Sequence, residues 1–387
     1  MRRIKELDSL RGLITLFVLV IHLTSTYVYY KEDVFTYNFV GILNCALTFV
    51  VPCFLFISAM IMAIQAKKLK KIKWGEFIPK RLIKVTIALI FWTIVYMFLF
   101  NKFENATTHE IITIQEFFEM LLTGNASYHL YFLPIIFQLY LFFPLIWIVK
   151  EFWEKNLKKK IKKFLKKKKI KLNLDLNLFQ NFLLIIFISS LIHYVFLFEF
   201  RFSILRKLIY HPIFLITYFL PVILGIWLGI NYSKLKTKIK NISTRYVSIA
   251  LVLFSILSGY IYVYWGFINF NGRTQLIVSP IYWCIICASL LYFFQQRNKK
   301  TRFLDEISKH SFIIYLVHPV FLYLLAINFP SFIIITNNHF FNYSLDTIIR
   351  FIIILSVSYL VSFLWYQLKS IISMLSRKIT AYLYKVD

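Results

Sequence analysis

Long apolar runs recur along almost the whole of this 387-residue chain. A helix needs about 20 mostly apolar residues to span a bilayer, because it rises ~1.5 Å per residue across ~30 Å of hydrocarbon. Hydrophobic residues make up 59% of the chain, which is typical of proteins with several membrane spans and excludes a water-soluble fold. Ten runs are predicted to form transmembrane helices, at about 10–30, 39–65, 84–100, 130–149, 180–198, 212–230, 246–266, 277–295, 311–328 and 347–368.

Ten spans place both termini on one side of the membrane, and the basic residues indicate which side. Cytoplasmic loops of membrane proteins are enriched in Lys and Arg. With a cytoplasmic N-terminus, the outer segments would hold only a few of the 45 Lys and Arg residues, namely Lys31, Lys102, Arg201, Arg206, Lys207, Arg273 and Arg350. We therefore predict an all-α, polytopic membrane helix bundle of about ten helices with cytoplasmic N- and C-termini.

The chain is expected to form a single integral-membrane domain over residues 1–387. A basic cytoplasmic loop covers about 150–179, and its lysines are predicted either to orient the protein or to contact anionic lipid headgroups. An outer loop covers about 101–128. Within it, residues 114–122 have the apolar pattern of a short helix that Gly124 ends.

Neither a nucleic-acid partner nor a metal or bound cofactor is expected. The net charge of +28 comes from Lys and Arg residues in the segments predicted to flank the membrane spans. There the basic residues orient the protein in the membrane. The cysteines Cys45, Cys53, Cys284 and Cys287 lie in apolar runs. The Cys284-x-x-Cys287 spacing lacks the βαβ surroundings of a redox motif, so we interpret these thiols as small buried hydrophobes.

One ionisable residue, His22, interrupts the first apolar run. Eleven helical steps from Arg11, at the predicted membrane surface, place His22 roughly 16 Å deeper, near the middle of the bilayer. Because burying an ionisable group is expensive, such a residue indicates function. A neutral imidazole suits a general base, since its reference pKa of ~6.5 is close to the working pH. Asp8 or Ser9 is predicted to cap the start of this helix.

Two further cations, Arg81 and Lys84, stand three residues apart at the start of the third predicted span. Residues at this spacing share a helix face, so the pair can clamp phosphate groups, Arg81 through its fork and Lys84 as a point charge. The alternative is that both residues serve only the orientation of the protein in the membrane.

These residues resemble acyltransferase family 3 of integral membrane proteins. The resemblance rests on Leu7-Asp8-Ser9-Leu10-Arg11-Gly12 with His22, on the segment 77–84, and on two further segments, 121–133 and 308–319. Members of this family move acyl groups from a cytoplasmic donor such as acetyl coenzyme A to hydroxyls of surface carbohydrates. Lys84 stands where the family has arginine, so one bidentate phosphate contact is lost.

The resemblance implies an O-acyltransferase of the bacterial cell membrane, with acyl-CoA, expected to be acetyl-CoA, as co-substrate. Arg11, Arg81 and Lys84 would bind the phosphates of the donor. His22 would act as general base, or would carry the acyl group as an acyl-histidine.

The acceptor is expected to be a surface glycan or a lipid-linked sugar held among membrane lipids. His129 and Tyr131 lie where the fourth predicted span meets the outer surface, although Tyr131 also suits an aromatic anchor. His318 either serves the acceptor side or satisfies carbonyls that Pro319 frees. The alternative function is a polysaccharide exporter or flippase. Transporters typically carry internal repeats with broken spans, which this sequence lacks.

Overall fold

The structure is a computed structural model that describes residues 4–25, 33–69, 74–104, 113–152, 188, 214–241, 244–264, 272–296, 301–329, 336 and 338–383. In these ranges the chain is helical, without strands. The helices are α1 (Lys5–Ser25), α2 (Val34–Leu47), α3 (Val50–Lys68), α4 (Trp74–Phe77), α5 (Pro79–Glu104), α6 (Ile114–Thr123), α7 (Phe132–Phe152), a 3-10 turn (Leu215–Tyr218), α8 (Phe219–Asn241), α9 (Thr244–Val263), α10 (Gly272–Gln296), α11 (Arg302–Asn328) and α12 (His339–Leu383).

Eight helical segments among the described residues are long and apolar enough to cross a membrane. They coincide with eight of the ten predicted spans, and α9 occupies the predicted span 246–266. The predicted span 180–198 and most of the predicted basic loop 150–179 lie outside the described residues. The chain is an all-α polytopic membrane bundle. The cytoplasmic location of its termini stays a prediction.

The predicted span 39–65 is divided into two helices, which corrects the sequence analysis. A turn at Thr48 and Phe49 separates α2 from α3, and the Thr48 amide and hydroxyl both donate to the Cys45 carbonyl, at 3.3 and 2.9 Å. Pro52 has no amide hydrogen to donate back to Thr48. A proline is tolerated in the first turn of a helix but not in the middle of one, so a new helix starts here.

Several helices are longer than the predicted spans, most of all α11 and α12. Helix α11 begins at Arg302 rather than 311, and α12 covers His339–Leu383 rather than 347–368. Hydropathy excluded these extensions because they carry charges, whereas the backbone continues its helical hydrogen bonds through charged turns. The first turns of α11 hold Arg302, Asp305 and Lys309.

The short helix predicted in the outer loop is confirmed as α6. The Thr113 side chain accepts from the Glu116 amide, and the Glu116 carboxylate accepts from the Thr113 amide at 2.7 Å. This reciprocal cap holds the pKa of the Glu116 carboxyl below its ordinary value. Gly124 ends the helix with a φ of 73°, as its position predicted. Residues 101–104 of the predicted loop belong instead to α5.

The chain divides into two compact units, each built from segments that are separate in the sequence. The single domain over residues 1–387 stays a prediction. The first unit comprises Met1–Val50, Gly259–Asn271 and Ala288–Asp387. In it, α1 packs on α11 and α12, and α2 packs on α1. Its apolar core is formed by Leu19, Leu23, Ile307, Ile314 and Ile354. Gly12 of α1 lies against Leu304 of α11, and His22 lies against His318, so the two helices run parallel. The ten-span topology predicts this direction for the first and ninth spans.

The second unit comprises Val51–Ser258 and Gly272–Cys287. In it, α5 packs against α4, α6 and α7. Helices α3 and α8 approach closely because Gly225 and Gly229 present bare backbone. A Cβ on these glycines would lie 2.4 Å from the Phe56 carbonyl oxygen and 2.6 Å from that of Met60. This Gly-x-x-x-Gly spacing was a readable sign of close helix packing that the sequence analysis missed.

The buried thiols of the second unit agree with their interpretation as small core residues. Cys53, Cys284 and Cys287 are buried and free of disulfides.

Candidate functional site

The ring of His22 stacks on a second imidazole inside the first unit. His318, from α11, lies face to face with His22, from α1, with ring centroids 5.2 Å apart and planes inclined by 27°. His22 is half-buried and lies in the last described turn of α1. The structure therefore pairs the predicted base with a residue that the sequence analysis placed on the acceptor side.

The His318 imidazole has a fixed orientation. Its side chain is 0% exposed, and its Nδ1 lies 3.1 Å from the Ile314 carbonyl oxygen. A carbonyl oxygen can only accept, so Nδ1 carries the hydrogen and the neutral ring has its lone pair on Nε2. Pro319 follows within the helix and gives no amide hydrogen to the carbonyl of Tyr315. The ring thus bonds the Ile314 carbonyl, and both predicted roles of His318 stay predictions.

Close contact between α1 and α11 sets the two histidines opposite each other. At Gly12 the two backbones nearly touch, since a Cβ there would lie 2.1 Å from the Leu304 carbonyl oxygen. One turn earlier, the Ser9 hydroxyl bonds Thr301 Oγ1 and Asp305 Oδ1, each at 2.7 Å. These contacts fix the position of α1 along the axis of α11. In this register His22 lies opposite His318, toward the C-terminal ends of the contacting segments.

The expected capping role of Asp8 or Ser9 is wrong. Helix α1 begins at Lys5, and the Ile4 carbonyl already accepts from the amides of Leu7 and Asp8. Ser9 lies within the helix and joins α1 to α11, as described above. Asp8 pairs with Arg11, with Oδ1 and Nη1 3.7 Å apart. The sequence placed the helix start too late because four of residues 5–9 are polar.

Arg81 is held among neutral groups of the second unit. Its guanidinium donates to the Gln65 side-chain oxygen and lies over the rings of Phe77 and Tyr140, at 4.4 and 5.6 Å from their centroids. Within the described residues, no carboxylate pairs with it. Lys84 is exposed, one turn further along α5. A half-buried guanidinium that contacts an amide oxygen and two aromatic rings retains its affinity for an anion. Arg11 belongs to the other unit.

His129 and Tyr131 lie in the connection between α6 and α7. His129 is 1% exposed, with Nδ1 3.0 Å from the Ser127 hydroxyl and its ring edge-on to Tyr96 at 5.1 Å. Tyr131 is half-buried and hydrogen-bonds Tyr218. The acceptor-side role of both residues stays a prediction.

A second buried histidine cluster escaped the sequence analysis. His310 Nδ1 lies 2.9 Å from the Ser362 hydroxyl, its Nε2 lies 3.4 Å from Glu306 Oε1, and its ring packs on Tyr359 at 4.6 Å. Only the four-residue spacing of Glu306 and His310 is visible in the sequence, because Ser362 and Tyr359 come from α12. Ser362 is fully buried, and its bond to His310 joins α11 to α12.

A bundle of membrane-length helices with two stacked imidazoles, one half-buried and one fully buried, defines a multi-pass membrane protein with an ionisable pair inside its apolar helices. Residues 4–367 match the family model described as an acyltransferase domain. Since the match covers nearly the whole chain, the protein belongs to acyltransferase family 3. It is an acyltransferase that transfers groups other than aminoacyl groups, of the O-acyltransferase type. No curated protein and no solved structure matches the chain.

Proposed function

We propose that this protein moves an acyl group, most simply acetyl, from cytoplasmic acyl-CoA to a hydroxyl of a polysaccharide or glycolipid at the bacterial cell surface. Family membership supports the acyl transfer. The observation that carries the proposal is the stacked pair of His22 and His318 inside a membrane bundle, because a buried imidazole can accept a proton where water is scarce.

His22 is the proposed general base. As the acceptor oxygen attacks the thioester carbon, His22 takes the hydroxyl proton. The carbon–sulfur bond then breaks, and the leaving thiolate of coenzyme A takes up the proton from the imidazolium. His22 is preferred to His318 because His22 is half-buried, whereas His318 is fully enclosed. A route through an acyl-histidine uses the same residue as nucleophile.

The direct test is acyl transfer by the purified protein in nanodiscs, supplied with labelled acyl-CoA and candidate glycans. We expect label to appear on glycan hydroxyls and free coenzyme A to form in equal amount. An exporter would instead move unmodified glycan across vesicle membranes and leave the thioester intact. That result would contradict the proposal.

Arg81 is proposed to bind a donor phosphate, with Lys84 as a second cation on the same helix. The phosphate-binding role of Arg11 stays a prediction. We expect Arg81→Ala to weaken binding of coenzyme A by ~1.5 to 3 kcal/mol, which is typical of a hydrogen bond to a charged group. Arg81→Lys should have an intermediate effect, because it keeps the charge and loses the fork. Calorimetric titration of the protein in nanodiscs measures both effects.

Lys80→Ala is the matched control for Arg81. Lys80 precedes Arg81 on α5, carries the same charge and is exposed, so its loss should leave the affinity nearly unchanged. Equal losses for the two alanine variants would mean that Arg81 contributes only general positive charge. Thermal unfolding of each variant separates lost binding from the lost contact with Gln65.

A further inference from the structure

We infer that His318 is the positioning residue of the active site: its fixed imidazole forms the wall against which the His22 ring is held for proton transfer. The inference rests on the proposed function of His22. In this proposal His318 acts on His22, the base on α1. The sequence instead suggested a role for His318 toward the acceptor.

Contacts within α11 hold the His318 ring in one orientation. Nδ1 donates to the Ile314 carbonyl at 3.1 Å, and the Tyr315 ring lies 6.0 Å away, inclined by 50°. The side chain is fully buried. A ring that is hydrogen-bonded to its own helix and enclosed by neighbours cannot change rotamer without breaking the bond or displacing those neighbours.

The two imidazoles form a stacked pair. Their planes are inclined by 27° and their centroids lie 5.2 Å apart, so the ring of His318 lies beside that of His22 and limits how far it can tilt. Aromatic rings in this arrangement attract each other by stacking.

The two histidines differ in solvent exposure, and this difference indicates which one reacts and which one supports. His22 is half-buried, whereas His318 is fully buried, so a reacting group reaches the His22 residue more readily than His318. The contact at Gly12 and the bonds of Ser9 bring α1 against α11, so the supporting ring stays in place. A supported base has its reacting nitrogen aimed before the substrate arrives, and this alignment affects the chemical step more than binding.

Two substitutions separate the ways in which His318 can act. His318→Phe keeps a flat ring against His22 and loses the bond to Ile314. His318→Asn keeps a donor near the position of Nδ1 and loses the stacked ring. We expect His318→Phe to retain most of the kcat. His318→Asn should lower kcat by about 10- to 100-fold, as expected when a reacting group is misplaced, with the KM for acyl-CoA nearly unchanged.

Two results would overturn the inference. If His318→Asn keeps the wild-type kcat and His318→Phe does not, the residue serves only the carbonyls of α11. If both folded variants lose activity equally, Nε2 of His318 takes part in the reaction itself. The proposed function has its own test. If the His22→Ala variant is fully active, His22 is not the general base, whatever the result for the His318 variants.

A measurement on the unmodified protein covers the case in which His318→Phe does not fold. In solid-state NMR spectra of the nanodisc-embedded protein with labelled histidine, His318 should be protonated at Nδ1 and should show through-space contacts with the His22 ring. The His22→Ala and His318→Asn spectra assign the signals. A His318 protonated at Nε2 alone, or rings without mutual contact, would contradict the inference.

Discussion

His22→Ala should lower kcat for acyl transfer by about 100- to 10,000-fold, the range that a positioned general base contributes. Without the imidazole, the acceptor hydroxyl must lose its proton inside the bundle with no base beside it. Coenzyme A binding should change little, because the cations proposed to hold the phosphates remain. The measurement is the initial rate of label transfer from acyl-CoA to glycan in nanodiscs.

The matched control for His22 is His339→Ala. His339 is exposed at the start of α12, so its removal should leave the rate at the wild-type value. Added imidazole should restore part of the activity of His22→Ala if the lost group acts as a base, since a small base can enter the vacated space. Equal rates for wild type and His22→Ala would remove His22 from the reaction.

Gly12→Ala should destabilise the protein and abolish most of its activity. On an isolated helix the change would be favourable by about 1 kcal/mol, because alanine has the higher helix propensity. Here the new Cβ would lie 2.1 Å from the Leu304 carbonyl oxygen, and no side-chain rotation relieves a clash made by Cβ itself. Helices α1 and α11 must separate, which changes the contact of His22 with His318. Such overpacking typically costs about 1 to 3 kcal/mol.

Gly75→Ala is the control for this prediction. A Cβ at Gly75, in α4, has no atom within 4 Å, so this variant should unfold at the wild-type temperature or slightly above it. Intrinsic fluorescence during heating, together with acyl transfer at low temperature, measures both variants. Wild-type unfolding and activity in Gly12→Ala would show that the close contact of α1 and α11 is absent.

Much of the fold follows from local properties of the sequence. Runs of about 20 apolar residues predict spanning helices, because a backbone in lipid must satisfy its own hydrogen bonds. The cap of α6 was equally readable, since Gly124 stands where a helix end requires a left-handed residue. The helix starts were less predictable. Hydropathy identifies the apolar segments that lie in the lipid. It does not identify the first turns of α1 and α11, which contain polar residues that hydrogen-bond each other, as Ser9 and Asp305 do.

The structure brings two of the predicted site residues, His22 and His318, into contact. The sequence singled out His22 and His318 separately, because each is an ionisable residue in an apolar run. Their contact joins positions almost three hundred residues apart, and no local pattern encodes it. Arg81 was selected for its charge, but its neighbours Gln65 and Tyr140 come from two other helices.

From the amino-acid sequence alone it follows that this chain spans a membrane, which ionisable residues lie within its apolar runs, and which family it resembles, because composition and spacing act along one helix at a time. The close approach of α1 and α11 at Gly12 and the stacking of the two imidazoles became visible only in the folded protein. Packing between helices depends on which backbones can approach each other, and that is a property of the folded bundle rather than of any single span.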